Sequence, residues 1–114
     1  MIIASKIDDS QIGIVDLFEF DPSNSRVGVG IIICKKCQNR GIASEALKLI
    51  IEYSFNVLNI NQLWCNIDVN NSVSIKLFCN LGFEKTGVLR SWKKADKGFS
   101  DVNVFQIFKN YESN

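Results

Sequence analysis

Apolar and polar positions along the chain change period several times, and each change marks an element. Residues 2–6 are a short apolar run that predicts a strand, and the polar stretch 7–11 supplies a turn. From 12 to 20 the pattern alternates: Ile12, Ile14, Phe18 and Phe20 share a face with Asp16, and Gly13, Val15, Leu17 and Glu19 share the other. Asp21-Pro22-Ser23-Asn24 has turn chemistry, with Pro presetting φ and Asp and Asn able to bond nearby backbone. The next strand covers 26–34, and Gly28 and Gly30 inside it point to a bulge or a close backbone approach. The period then becomes helical, with Ala43, Leu47, Ile50, Ile51, Ser54, Phe55 and Leu58 opposite Glu45, Lys48, Glu52 and Asn56, so a helix is expected over about 41–57. Residues 62–69 return to a strand. Asn70-Asn71-Ser72 offers an N-cap for a second helix that ends at Asn80-Leu81-Gly82. Strands over 83–89 and 102–108 close the chain, and 93–100 reads as an exposed loop.

The predicted order is β-β-β-α-β-α-β-β, a mixed α/β domain occupying residues 1–114 with its first three strands in an antiparallel meander. At 114 residues and 46% hydrophobic composition, the chain buries roughly two-thirds of its unfolded surface, which excludes a disordered protein. The formal charge of +1 gives no general attraction to phosphate polymers, so no nucleic-acid partner is expected. No apolar run approaches the roughly 20 residues of a membrane span. Ser5, Lys6, Asp8 and Asp9 end the apolar start at Met1–Ala4 too early for a signal peptide, so the expected location is the cytoplasm. Cys34, Cys65 and Cys79 lie in apolar segments and read as reduced thiols. Cys34-x-x-Cys37 has no second pair and no His to complete a metal site, so no metal is expected. The absence of His also removes the commonest general base, leaving backbone groups, carboxylates and hydroxyls for any chemistry.

One junction carries chemical information. Gln38-Asn39-Arg40-Gly41-Ile42-Ala43 follows an apolar strand and opens an amphipathic helix. A helix N-terminus presents unpaired N–H groups and the positive end of the dipole, which together cradle an anion. Gly41 permits close approach to the main chain, and Gln38 and Arg40 add side-chain donors. No Gly-Lys-Ser/Thr ending follows, which argues against a nucleoside-triphosphate loop.

Gln-x-x-Gly-x-Ala after a strand resembles the acetyl-CoA pyrophosphate motif of the GNAT superfamily of N-acetyltransferases. Asn71, Ser74, Leu77, Phe78 and Leu81-Gly82-Phe83 resemble that family's second conserved helix and the strand after it. The segments 15–21 and 101–103 resemble the branch that holds ribosomal-protein N-terminal acetyltransferases and spermidine acetyltransferases. The resemblance implies a shortened GNAT-like fold that begins at the family's second strand, without its first strand and two helices. An apolar sheet face left open in this way is expected to drive homo-oligomer formation.

The resemblance further implies acetyl-CoA as co-substrate and an amine as acceptor. The backbone of Ile31, Ile32 and Ile33 would flank the acetyl and pantetheine arm. Gln38, Asn39, Arg40, Gly41, Ile42, Ala43 and Ser44 would hold the pyrophosphate, and Asn71 would touch the pantetheine. Phe78 stands where many relatives place a Tyr that protonates the departing thiolate, so Ser74 becomes the candidate donor, unless the thiolate leaves unaided. Glu19 and Asp16 are the candidate bases, because an alkylamine of pKa near 10 arrives protonated. The expected activity is acetyl transfer to a peptide N-terminus or small amine. A polyamine acetyltransferase or a non-catalytic acyl-CoA-binding module are the alternatives. The basic stretch 93–97 favours an acceptor other than a polyamine, and Trp92 and Phe99 are candidates to line its pocket.

Overall fold

The turn at Asp21 shows how local chemistry starts the sheet. Asn24 donates its backbone N–H to Asp21 Oδ1 (3.1 Å) and its Nδ2 to Asp21 Oδ2 (2.9 Å). Arg26 Nη2 approaches the same carboxylate at 3.3 Å. These donors hold the Asp21 carboxyl below its ordinary pKa, the Asn24 side chain contributing most. The hairpin they close joins β2 (Gln11–Asp21) to β3 (Arg26–Ile33) in a computed structural model that describes residues 2–4, 11–33 and 41–110. The other elements are β1 (Ile2–Ala4), α1 (Ile42–Asn56), β4 (Gln62–Asp68), α2 (Ser72–Asn80), β5 (Glu84–Ala95) and β6 (Gly98–Phe108). The element order matches the expectation.

The six strands form one sheet in the order β1-β2-β3-β4-β6-β5. It consists of two antiparallel halves, β1-β2-β3 and β4-β6-β5, joined by parallel pairing of β3 with β4. The register places Val15, Leu17, Val27, Val29, Ile31, Leu63, Cys65, Ile67, Phe105 and Ile107 on one face. The main core cluster takes its strand residues from this face and adds Leu47 and Ile50 from α1 and Phe78 from α2, so both helices cover the same side. A strand followed by a right-handed crossover to a parallel strand, repeated in the same direction, requires this arrangement.

The opposite face has no helix over it among the described residues. It carries Ile14 (47% exposed), Phe20 (53%) and Ile32 (72%), together with Phe18, Trp64, Val104 and Phe108. Of the two readings offered for Gly28, close approach is the one realised, and the register slip lies instead in β2, between Phe18 and Asp21. Phe18 and Trp64 meet edge to face across Gly28, with ring centroids 5.2 Å apart and an interplanar angle of 84°. A Cβ on Gly28 would lie 2.7 Å from Phe18 Cζ and 2.8 Å from Cδ2.

The stretch 93–100 is not a loop. β5 continues to Ala95 and β6 starts at Gly98, with rungs Lys93↔Ser100, Lys94↔Phe99 and Ala95↔Gly98. Its polar and exposed side chains concealed a hairpin because backbone pairing holds it out from the sheet without burial. Gly98 at φ 103 allows the tight turn. Cys79 also departs from the expectation for an apolar segment, being exposed on α2, whereas Cys65 is buried and its thiol is pushed up to about 12 chiefly by that burial.

Because the Phe18 ring is held by Trp64 and cannot simply swing aside, Gly28→Ala should destabilise the fold by about 1–3 kcal/mol through overpacking. Urea denaturation monitored by Trp fluorescence measures this directly, and an unchanged midpoint would show that the ring contact is not tight.

Candidate active site

β3 and β4 pair at only three rungs, Arg26↔Gln62, Val27↔Leu63 and Gly28↔Trp64. Beyond Trp64, β4 continues with β6 as its partner to Asp68, while β3 continues with β2 to Ile33. The two strands therefore splay, and every second N–H and C=O of 29–33 faces the opening instead of a neighbouring strand. Ile31, Ile32 and Ile33, singled out by resemblance, all lie on this splayed portion. Ile31 packs on the core while Ile32 stands exposed on the open face.

Gly41 opens α1 in the left-handed region (φ 73); among the described residues no side chain caps the helix and none comes within 4 Å of where the Gly41 Cβ would stand. Among the described residues, the N–H groups of Ile42, Ala43 and Ser44 precede the first acceptor-paired amide, that of Glu45, which bonds Gly41 O at 3.1 Å. Main-chain donors at a helix start and strand amides without a strand partner among the described residues together suit a long ligand with an anionic end and an amide-bearing arm. Gln38, Asn39 and Arg40 fall outside the described residues.

The mouth of the splay is bordered by the start of α2. Asn71 caps that helix, its Oδ1 accepting from Ser74 N–H at 3.2 Å. Ser74 is half-buried, one turn before Phe78 on the stripe that faces the core. Phe78 itself is 3% exposed and meets Phe83 edge to face at 5.0 Å, so it serves as a packing residue.

Asp68, which sequence reasoning passed over, stands at the end of β4 on the open face. Its Oδ1 accepts from Asn70 N–H (2.8 Å), its Oδ2 accepts from Ser100 Oγ (3.0 Å), and Lys93 Nζ lies 3.8 Å away. These donors, the Asn70 N–H first among them, hold the Asp68 carboxyl below its usual pKa. The signal available in the sequence was an Asp two residues before an Asn-Asn-Ser cap cluster, the spacing of a side chain that bonds its own turn.

The two candidate bases stand at different depths. Glu19 occupies the β2 irregularity with φ 50, and it lines a cavity of about 570 Å³ on the open face with Phe20, Asp21, Arg26, Trp64 and Gln106. In an unbroken strand it would face the helices with Val15 and Leu17; the irregularity turns it to the cavity. Glu19 is level with Val27 and Leu63, five residues before the end of β4, roughly 17 Å at the ~3.3 Å rise of a strand. The structure therefore does not bring it together with Ser74. Asp16, exposed on the rung opposite Gly30, stands beyond the last β3–β4 rung and beside the splay.

Asn71 can be tested for capping apart from ligand contact. Asn71→Ala should cost about 1 kcal/mol in denaturant unfolding while Asn71→Ser retains most of that stability, because Ser also caps. Equal losses for both would place the stabilising role of Asn71 elsewhere.

Comparison with known proteins agrees with this geometry. The model of the acetyltransferase (GNAT) domain matches residues 1–84. An uncharacterised N-acetyltransferase, p20 of Bacillus licheniformis, is 35% identical over 107 residues, covering 94% of this chain and 60% of that protein. The spermidine N(1)-acetyltransferase of Escherichia coli K12 is 35% identical over 82 residues, covering 72% and 44%. Among solved structures, the spermidine/spermine N-acetyltransferase SpeG of Vibrio cholerae with manganese ions superposes with a TM-score of 0.86 at 24% identity, over 94% of this chain and 62% of that one. A dodecameric structure of the spermidine N-acetyltransferase from Vibrio cholerae gives 0.82 at 26% identity, over 88% and 58%. The chain thus spans between about two-fifths and two-thirds of the length of these proteins. With the family model covering most of the sequence and a splayed strand pair leading to a glycine-opened helix, the chain belongs to the GNAT acetyltransferases.

Proposed function

We propose that the protein transfers an acetyl group from acetyl-CoA to an aliphatic amine of the polyamine class. The observation that carries this reading is the divergence of β3 from β4 after Gly28↔Trp64, next to the N-terminus of α1. Strand amides of 29–33 would hold the pantetheine arm and polarise the thioester carbonyl, where an N–H stabilises the oxyanion that develops as the amine attacks. Gly41, Ile42, Ala43 and Ser44 would hold the pyrophosphate, with Gln38, Asn39 and Arg40 as the remainder of that cradle.

The attacking nitrogen and the departing sulfur share one carbon, so the groups serving them stand within a few ångströms of a common centre. Of the two carboxylates, Asp16 lies nearer the splay, and this reading gives it the ammonium proton through water. Glu19 then binds the acceptor's distant cationic end from the cavity that ends at Trp64. Ser74 donates a hydrogen bond toward the thiolate, which with a thiol pKa of roughly 8.5 also leaves without full protonation. Two observations favour a polyamine over a peptide: the spermidine acetyltransferases among its relatives, and the open face, where Asp16 and Glu19 stand. Lys93, part of the basic stretch that argued otherwise, is drawn to Asp68.

Thiol release from acetyl-CoA in the presence of spermidine, putrescine or a peptide with a free N-terminus tests the activity and the acceptor together. Turnover is expected with the polyamines, with kcat lowered about 10²-fold or more by Asp16→Asn and KM for spermidine raised by Glu19→Gln. A reversal of those two effects would assign the base to Glu19. Coenzyme A binding with no turnover of any amine would favour the non-catalytic acyl-CoA-binding reading, which the buried, proton-less Phe78 supports.

The same reading includes self-association through the open sheet face, where Ile14, Phe20, Ile32 and Phe108 are exposed apolar side chains. Sedimentation velocity should show an oligomer that Ile14→Lys with Phe108→Lys reduces to monomer; a monomeric wild type would overturn it.

A further inference from the structure

We propose that Asp68 is a positioning residue that fixes the cofactor-facing end of α2 against the β5–β6 hairpin. This rests on the reading above, in which Asn71 and Ser74 border the coenzyme A arm. Asp68 is the meeting point of three segments. Its Oδ1 and its carbonyl oxygen accept from the two N–H groups of the turn that leads into α2, those of Asn70 (2.8 Å) and Asn71 (2.9 Å). Its Oδ2 accepts from Ser100 Oγ on β6 at 3.0 Å, and Lys93 Nζ on β5 lies 3.8 Å from the same oxygen.

The chain of bonds then continues inward. Asn71, placed by Asp68, accepts from Ser74 N–H and sets the first turn of α2. The hairpin side is braced separately: Val69 N–H donates to Asp101 O at 3.2 Å, and Asp101 Oδ1 accepts from Ser91 N–H at 2.8 Å, where Ser91 takes φ 49. An Asp at position 68 can satisfy donors on both sides at once because a carboxylate only accepts. An Asn of the same shape would keep one acceptor and turn an amide N–H₂ toward Ser100 and Lys93. The carboxylate therefore sets the angle at which α2 meets the hairpin, and with it the position of Asn71 and Ser74 at the mouth of the splay.

The test compares Asp68→Asn, Ser100→Ala, their double variant and Asp68→Glu in the full chain, using coenzyme A calorimetry and steady-state kinetics with spermidine. Asp68→Asn should raise the KM for acetyl-CoA and the coenzyme A Kd at least fivefold while the KM for spermidine stays within twofold. Ser100→Ala should give a smaller shift in the same direction, the double variant should match Asp68→Asn, and Asp68→Glu should recover part of the loss. Asp96→Asn, at the exposed hairpin tip, serves as the control that removes a charge without these effects. Unchanged coenzyme A affinity in Asp68→Asn, or an equal rise in both KM values, overturns the proposal. If the wild type binds coenzyme A but acetylates no amine, the transfer reading fails while the calorimetry still decides the role of Asp68. If the wild type does not bind coenzyme A, both fail.

Discussion

Three rungs of parallel backbone pairing hold the two halves of the sheet together. On one side of that joint lies the hairpin system of β1, β2 and β3, and on the other the ladder of β4, β6 and β5. Such a short seam leaves much of the work to side chains. Under the helices, Val27 and Val29 meet Leu63 and Cys65 in the core. On the open face Phe18 from β2 reaches over Gly28 to Trp64 on β4, an aromatic contact that spans the intervening strand. The missing side chain at Gly28 makes that reach possible.

The same seam creates the site. A sheet paired along its whole length would have no unsatisfied strand amides to offer, since buried backbone groups are almost always paired. By ending the pairing at Gly28↔Trp64, the fold keeps the amides of 29–33 available while their side chains remain anchored, Ile31 in the core and β2 alongside. Helix α1 begins near one edge of this opening and α2 near the other. Backbone chemistry of this kind needs no His and no metal, which accords with a composition that has no His.

The proposed catalytic side chains are more loosely bound to the fold than the proposed cofactor cradle. Phe78 occupies the core with Phe83 and serves as a packing residue in this chain. Glu19 and Ser74 stood out as chemistry-bearing residues, yet the fold sets Glu19 level with the start of β4 and Ser74 on the helix that follows its end. Asp16 and Asp68, one unremarked and one second choice in sequence terms, stand beside the splay and at its mouth. Distance along the strands decides this, and the alternation of apolar residues cannot supply it.

The order of strands and helices, the glycine-opened start of α1 and the Asn71 cap were all legible in the sequence, because each depends on local periodicity or on a side chain bonding backbone a few residues away. The resemblance of 38–43 and 71–83 to the acetyltransferases was legible for the same reason: the motifs are contiguous. Tertiary structure alone decided which face of the sheet the helices cover, where β3 parts from β4, how the irregularity at Glu19 turns its side chain outward, and that 93–100 is a hairpin. Each of these depends on pairing between segments distant in the chain, where register, not composition, determines which backbone groups are satisfied and which are left for a ligand.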